Sequence, residues 1–455
     1  MSGFKRLAEQ YLLEWKTRTN RKPLIIRGAR QVGKTFLVKQ FASSKYKNLI
    51  YVNLDDISTQ SLFKNIYSIE NFADVVRLNF NNDIYQEGTL IFLDEIQNAP
   101  VLIKLLRAFY EERPEIHIIS AGSLLEVQIA KAGFEFPVGR VEYLYLYPLN
   151  FLEFLLAKGD GELYNFILNV KQGDSIDPSI HEILTNKFFE YTKVGGMPEA
   201  IANYIVNPDL SNIERVYASL LTSYSEDVYK YTNDSEAEYT QFVLNNSPVS
   251  AGGLITYSNY MNSGFGSRQI SSAFSVLEKA MVLKEVKATS STTIPLLSKP
   301  KRPRKLLFLD FGFISYKANL LNEIVSKNDL SSIYKGQFAE QIVGQNLIAR
   351  SYYKEVELNY WAREKPSGSA ELDFIIVLGD KIVGIEVKSG EGSKLKSLLS
   401  FAKLVNNPIL VRVYSGELSY DDFWVEDRKC KLHSIPFYLI DRIYDLVINL
   451  ASDIK

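Results

Sequence analysis

At 455 residues the chain is longer than one hydrophobic core normally serves, and about three domains are expected of it. An apolar fraction of 46% excludes a disordered chain, and 52 Lys and Arg against 53 Asp and Glu exclude a global basic field, so any nucleic-acid site must be local. Cys430 is the only cysteine, which excludes an internal disulfide framework and fits a reducing compartment.

Phe4, Leu7, Ala8, Tyr11, Leu12 and Trp15 recur at helical spacing, so the N-terminus reads as an amphipathic helix rather than a secretory signal. The apolar run from Ile435 to Leu450 is interrupted by Asp441, Arg442 and Asp445, and no stretch approaches the roughly 20 apolar residues of a membrane span. A cytoplasmic protein without a membrane segment is expected.

After the break at Asn20-Arg21-Lys22-Pro23, the apolar run Leu24-Ile25-Ile26 leads into Gly28-Ala29-Arg30-Gln31-Val32-Gly33-Lys34-Thr35, and Phe36 to Ala42 follows as a helix. Strand, glycine loop and helix are the context a phosphate-binding loop requires. The loop backbone would curl around a polyphosphate, Lys34 would reach the outer phosphates, and Thr35 would take a Mg²⁺ position. Residues 28–36 are therefore assigned to ATP.

Leu49 to Leu54 reads as a second strand, and Ser58 to Phe80 has mixed helical periodicity. Leu90-Ile91-Phe92-Leu93 is a buried strand that ends in Asp94 and Glu95. In a P-loop ATPase the first acid holds the Mg²⁺ water shell and the second polarises the attacking water. A helix from Pro100 to Glu111 precedes the strand-like Ile116 to Ala121, where Ser120 and Ser123 are candidates for sensing the γ-phosphate; a helix N-cap explains Ser123 equally well. The histidines, at 117, 181 and 433, are too scattered for a His-based metal site. Alternating strands and helices over residues 1–150 imply a doubly wound α/β fold with a parallel sheet.

The wording Gly-Ala-Arg-Gln-Val-Gly-Lys-Thr, Leu-Asp-Glu-Ile-Gln-Asn and Ala-Gly-Ser resembles a prokaryotic family of AAA-type P-loop ATPases. Its members are joined to a C-terminal domain of poorly known function with an endonuclease-like core. Val138-Gly139-Arg140-Val141 and the segment from Tyr147 to Phe154 match the same family. The resemblance implies an arginine-finger role for Arg140 at a boundary between copies of the chain, although a surface salt bridge explains an arginine there equally well.

Residues 151–247 read as a helical lid packed on the ATPase sheet, broken at Gly195-Gly196-Met197-Pro198 by a hinge or, more simply, a helix cap. Residues 248–325 follow the order of a winged helix: a short helix over Thr256 to Met261, a turn at Ser263-Gly264-Phe265-Gly266 and a helix from Arg268 to Ala280. Its core would be Ile270, Phe274, Leu277 and Met281. Strands Val282 to Val286 and Leu306 to Leu309 flank a loop carrying Lys299, Lys301, Arg302, Arg304 and Lys305. That loop suits DNA phosphates or plain solvent, and winged helices also bind proteins.

In residues 326–455, Glu340 lies on a helix, Asp373 begins a strand, and Glu386 and Lys388 lie on the strand after a Gly379-Asp380 hairpin turn. Asp373-x12-Glu386-x-Lys388 is the spacing of the PD-(D/E)XK nuclease core, commonly completed by a helical acid such as Glu340. Its proline is absent, with Ala370-Glu371-Leu372 before Asp373, and Glu371 is read as facing away from Asp373. Glu340, Asp373 and Glu386 would hold Mg²⁺, and Lys388 would stabilise the anionic transition state. The expected protein is an ATPase that couples nucleotide state to a DNA-associated, Mg²⁺-dependent nuclease-like module. The alternative is a signalling or interaction ATPase, self-associating or bound to another protein, whose nuclease fold is an inactive platform.

Overall fold

In the computed structural model the described residues are 3–123, 125, 137–320, 336–364, 370–388 and 395–447, the side chains of Tyr231 and Phe423 excepted. The expected boundary at 325/326 lies outside them. The chain divides into two compact units: Met1–Pro148 with Ser275–Val282 and Ser351–Glu355, and Leu149–Phe274 with Leu283–Arg350 and Val356–Lys455.

In the first unit, β1 (Leu24–Arg27), β2 (Asn48–Asn53), β3 (Thr89–Asp94), β4 (His117–Gly122) and β5 (Glu142–Tyr145) form one sheet in the order β2-β3-β4-β1-β5. All pairings are parallel. Every residue of β1 and β3 is buried, as a strand covered on both faces requires. Helices α1 (Ala8–Thr17), α2 (Lys34–Lys45), α3 (Ile57–Phe63), α4 (Ile69–Phe80) and α5 (Pro100–Glu112) complete the α/β unit. Ser68 caps α4 by accepting from the Asn71 N–H at 3.1 Å, and Phe72, Val76, Ile91, Leu93, Leu106 and Phe109 share one core. Strand β5 is an addition to the four strands legible in the sequence. The Tyr145 N–H donates to the Tyr352 carbonyl at 2.8 Å, which covers part of the edge of β5.

The second unit opens with α6 (Phe151–Lys158), α7 (Gly161–Asn169), α8 (Pro178–Val194), α9 (Pro198–Val206), α10 (Leu210–Tyr231) and α11 (Asp234–Ser250). These helices, expected as a lid on the ATPase sheet, cluster with the C-terminal part of the chain. The reason lies in their aromatic faces: Tyr191 meets Phe311 edge-on at 4.9 Å and Phe188 stacks on Phe437 at 6.0 Å. Gly195 caps α8 at φ 83°, and a Cβ there would lie 1.8 Å from the Tyr217 hydroxyl oxygen. The Gly-Gly break is thus a cap demanded by a close approach.

The remaining strands are β6 (Leu254–Ile255), β7 (Leu283–Thr289), β8 (Arg304–Phe308), β9 (Asn359–Ala362), β10 (Glu371–Leu378), β11 (Lys381–Val387), β12 (Ile409–Tyr414), β13 (Ser419–Val425) and β14 (Arg428–Pro436). They form one nine-stranded sheet in the order β13-β14-β12-β11-β10-β9-β7-β8-β6. Helix α12 (Ser267–Lys279) precedes β7, α13 (Phe311–Lys317) and α14 (Gln337–Ala349) follow β8, and α15 (Lys396–Leu404) follows β11. Where a short helix was expected at 256–261 there is a single 3₁₀ turn at Tyr260–Asn262, because Asn259, Met261 and Asn262 take positive φ. Trp361, Leu372, Leu398 and Phe401 anchor the core of this sheet, and Gly384 admits the Phe401 ring where a Cβ would come within 2.7 Å.

Burial also sets a pH dependence. His433 on β14 is 4% exposed, and burial, then the charge of Lys431, pushes its imidazole down to about 4. Between about pH 4 and the ordinary value of 6.5 the unfolded chain binds more protons than the folded one, so stability falls as pH drops through that window. His433→Gln is expected to flatten urea-midpoint-versus-pH curves there, by up to about 1 kcal/mol per pH unit.

Candidate functional site

The loop between β1 and α2 is shaped by two backbone requirements. Gly33 sits at φ 95°, where a side chain would be strained, and a Cβ on Gly28 would lie 2.4 Å from the Leu146 carbonyl oxygen. Gln31 also takes positive φ, and Ala29 and Val32 are buried beneath the loop. Arg6, absent from the motif, braces the loop by donating to the Val32 carbonyl at 2.9 Å and to the Tyr147 carbonyl at 2.7 Å. Arg30 is half-buried, and Phe36, at 39% exposure, lies on the outer side of α2. Gly33 supplies no side-chain cap, so the first turn of α2 presents backbone N–H groups as an anion site.

Lys34 is buried, and its ammonium donates to the carbonyls of Gly28 at 2.9 Å and Ala29 at 2.8 Å. Burial lowers its pKa, against the charges of Glu95 and Asp94. Thr35 Oγ1 donates to Asp94 Oδ2 at 2.8 Å, and Tyr51 Oη donates to the same oxygen at 3.1 Å. Asp94 Oδ1 is buried with no hydrogen-bond partner among the described residues. Burial raises the Asp94 pKa, opposed by the Thr35 hydrogen bond. A cation would satisfy that oxygen, so Thr35 and Asp94 fit a Mg²⁺ position.

Glu95 follows β3 at φ 53°, a strained position for a non-glycine residue. Its Oε2 accepts from Gln97 Nε2 at 2.5 Å and, at 3.4 Å each, from the N–H and hydroxyl of Ser123. Gly122 makes room for Gln97, because a Cβ there would lie 2.2 Å from Gln97 Oε1. Ser120 is turned away from this group and donates to the Leu24 carbonyl at 3.3 Å. Arg140 pairs with Glu111 at 2.7 Å, a surface salt bridge of the kind that explains an arginine there equally well. Tyr51, Gln97 and Arg6 were not foreseen; the Leu-Asp-Glu-Ile-Gln-Asn wording already contained Gln97.

The decisive combination is a glycine loop whose lysine, threonine and strand-end acids converge at one end of a parallel sheet, with residues 20–155 matching the family model described as AAA domain. Residues 20–155 are an AAA domain. The AAA match supports ATPase activity in general terms. Two further stretches, residues 185–323 and 335–432, match families described as domains of unknown function, DUF8612 and DUF4143. No curated protein matches the chain. Among solved structures, the RuvB Holliday junction branch migration motor of Thermotoga maritima is similar at 14% identity, over 62% of this chain and 90% of that one, with a TM-score of 0.29. The ORC2 protein of Aeropyrum pernix is similar at 13% identity, over 71% and 96%, with a TM-score of 0.30. DnaA of Aquifex aeolicus is similar at 18% identity, over 61% and 88%, with a TM-score of 0.27. Among the described residues no helix is long and apolar enough to cross a membrane.

A second polar cluster lies in the unit outside the AAA domain. The antiparallel register of β10 and β11 pairs Phe374 with Ile385, which sets Asp373 opposite Glu386. A register shift against β9 between Leu372 and Ile375 re-aims Asp373, whose Oδ2 accepts from the Val387 N–H at 2.8 Å. Lys388 pairs with Glu386 at 2.5 Å. Glu340, in the first turn of α14, pairs at 2.5 Å with Lys305, whose ammonium also lies 3.1 Å from Asp373 Oδ1. Glu340, Asp373, Glu386 and Lys388 thus come together, joined by a lysine that the sequence reading assigned to a basic wing.

Burial, then the charge of Asp373, pushes Glu340 up to about 8 and Glu386 up to about 7. Burial works to lower the Lys305 pKa, but Asp373 and Glu340 outweigh it and raise it. Glu371, two residues from Asp373, shares its face by the strand period rather than opposing it; burial raises its pKa while Lys305 opposes that rise. Glu386 Oε2 is buried and has no partner among the described residues. Both Asp373 oxygens are engaged, Glu340 Oε2 is taken by Lys305, and among the described residues no group of three or more His, Cys, Asp and Glu side chains is arranged to hold a metal ion. As folded, the cluster does not fit Mg²⁺.

The expected basic wing is largely neutralised. Lys299 pairs with Glu364 at 2.5 Å, Arg302 donates to the Arg363 carbonyl at 3.0 Å, Arg304 lies 3.5 Å from Glu285, and Lys305 is buried. Of the five cations only Lys301 is exposed with no such partner among the described residues. On α12, Arg268 and Gln269 are exposed.

Proposed function

We propose that the protein is an ATP-binding and ATP-hydrolysing AAA-type switch that couples nucleotide state to a DNA-associated unit of PD-(D/E)XK-like architecture. The observation that carries the ATPase half is Thr35 hydrogen-bonded to Asp94, whose other carboxylate oxygen is buried and open. Bound there, Mg²⁺ would supply positive charge to the outer phosphates. Lys34 would exchange its two loop carbonyls for phosphate oxygens, the α2 N–H groups would hold the remaining charge, and Glu95 would accept a proton from the attacking water. Gln97 and Ser123 orient that carboxylate. Arg140 would serve as a finger only by leaving Glu111 for a neighbouring copy.

The order β6-α12-β7-β8 supports a winged helix, with β6 and β7 on either side of β8. Exposed Arg268, Gln269 and Lys301 are its candidates for DNA contact. The placement of Lys305 favours the reading in which the nuclease-like fold is a binding platform over the one in which it cleaves.

Lys34→Ala is expected to abolish nucleotide binding, measured with a fluorescent ATP analogue, while the far-ultraviolet circular dichroism of the parent is retained. Unchanged affinity would remove the ATPase reading. DNA and RNA cleavage assays on the parent, with Asp373→Ala and Lys388→Ala as controls, separate the two roles of the second unit: cleavage abolished by either variant would establish a nuclease.

A further inference from the structure

Lys305 has no place in the nuclease spacing, yet it is the most thoroughly buried cation of the cluster, with a side chain 2% exposed. Its backbone is fixed from both sides. On β8, Lys305 pairs with Leu254 of β6 and with Val286 of β7, so its Cα cannot shift without disturbing two strands. The ammonium bridges Glu340 at 2.5 Å and Asp373 at 3.1 Å, the two acids contributed by separate elements.

The helix carrying Glu340 is fastened to the same strand. The Gln341 amide accepts from the Phe308 N–H at 2.9 Å and donates to the Phe308 carbonyl at 2.7 Å. One turn later, Gln345 accepts from the Phe311 N–H at 3.0 Å and donates to Asp310 at 2.9 Å. The backbone of Glu340 is thereby held beside Lys305. Asp373 is held on its other oxygen by the Val387 N–H, and Lys388 covers one oxygen of Glu386. Glu340, Asp373 and Glu386, with Glu371 on the same strand face as Asp373, thus face two ammonium groups, and the bridging position between acids from different elements belongs to one of them.

We propose that the Lys305 ammonium is the resident cation of this carboxylate cluster, so that the folded protein takes no divalent metal ion there. This inference rests on reading Glu340, Asp373, Glu386 and Lys388 as a nuclease-like cluster. Lysine suits the task because its charge is compact and its four-carbon stem reaches from a strand. A divalent ion placed beside it would meet a like charge at close range and low dielectric.

The test is Mn²⁺ binding followed by electron paramagnetic resonance, on the full chain without nucleotide, in an Asp94→Asn background that removes the P-loop contribution. That background protein is expected to bind no Mn²⁺ that Glu386→Gln removes. Adding Lys305→Met is expected to create one site per chain, lost again in Lys305→Met/Glu386→Gln, while Lys305→Arg creates none. Mn²⁺ bound with Lys305 present and released by Glu386→Gln would overturn the proposal and leave the nuclease-like reading standing. A folded Lys305→Met protein that takes no Mn²⁺ would overturn both. Should that variant not fold, the comparison with and without Glu386→Gln decides alone.

Discussion

Glu95→Gln is expected to lower ATP turnover about 10²–10⁴-fold, the usual worth of a positioned general base, while ATP stays bound. The amide keeps the size of the side chain but cannot accept a proton from water. The surrounding contacts make the substitution clean: Gln97 and Ser123 reach Glu95 through one oxygen, Oε2, which an amide oxygen can replace. Glu95 is also held at φ 53° between β3 and the following turn, so its direction is set by the backbone as well as by its partners. Phosphate release in a single turnover, measured beside nucleotide affinity, separates this variant from Lys34→Ala, which loses both. Hydrolysis at the parental rate would assign the water-activating role to another group.

Asp310→Ala is expected to destabilise the second unit by about 3–5 kcal/mol, because several buried donors lose one shared acceptor at about 1–3 kcal/mol each. Asp310 is fully buried. It accepts from Tyr217 Oη at 2.7 Å, the Gly196 N–H at 2.8 Å, the Gly312 N–H at 2.9 Å and Gln345 Nε2 at 2.9 Å. Alanine would leave the Gly196 and Gly312 N–H groups and Gln345 Nε2 without this acceptor, each a penalty in its own right, while the Tyr217 hydroxyl keeps the Val194 carbonyl at 3.1 Å. Tyr217→Phe removes one donor and its hydroxyl together, so its expected cost is smaller, about 1 kcal/mol. Urea unfolding monitored by circular dichroism reads both. An Asp310→Ala midpoint equal to that of the parent would show that the network contributes nothing.

What was legible in the sequence depended on how locally it was encoded. The P-loop is contiguous, its glycines have one backbone purpose, and Asp94 and Glu95 end an unbroken apolar run, so their order could be read directly. Strand β5 is four residues long, and only pairing with β1 reveals it. Tyr51 looked like an ordinary strand aromatic, because its contact with Asp94 comes from the β2–β3 register. The helical stretch gave its periodicity but not its partner: the rings that Tyr191 and Phe188 meet, Phe311 and Phe437, lie far along the chain.

The second cluster shows the same limit more sharply. Asp373, Glu386 and Lys388 share a hairpin whose turn is visible as Gly379-Asp380, so their convergence follows from strand alternation. Lys305 is separated from Glu340 by 35 positions and from Asp373 by 68. It stands in a run of exposed-looking cations, and composition cannot distinguish the one that turns inward. Burial at the end of that run, set by β6 and β7, converts an apparent phosphate grip into an internal ion pair.

Coupling between nucleotide state and the second unit is tested most directly by amide hydrogen exchange on the Glu95→Gln protein, with and without ATP and Mg²⁺. Coupling predicts protection at residues 28–35 together with altered exchange in α14 and in β10–β11. Changes confined to the first unit, with α14, β10 and β11 exchanging at the same rates in both conditions, would contradict it.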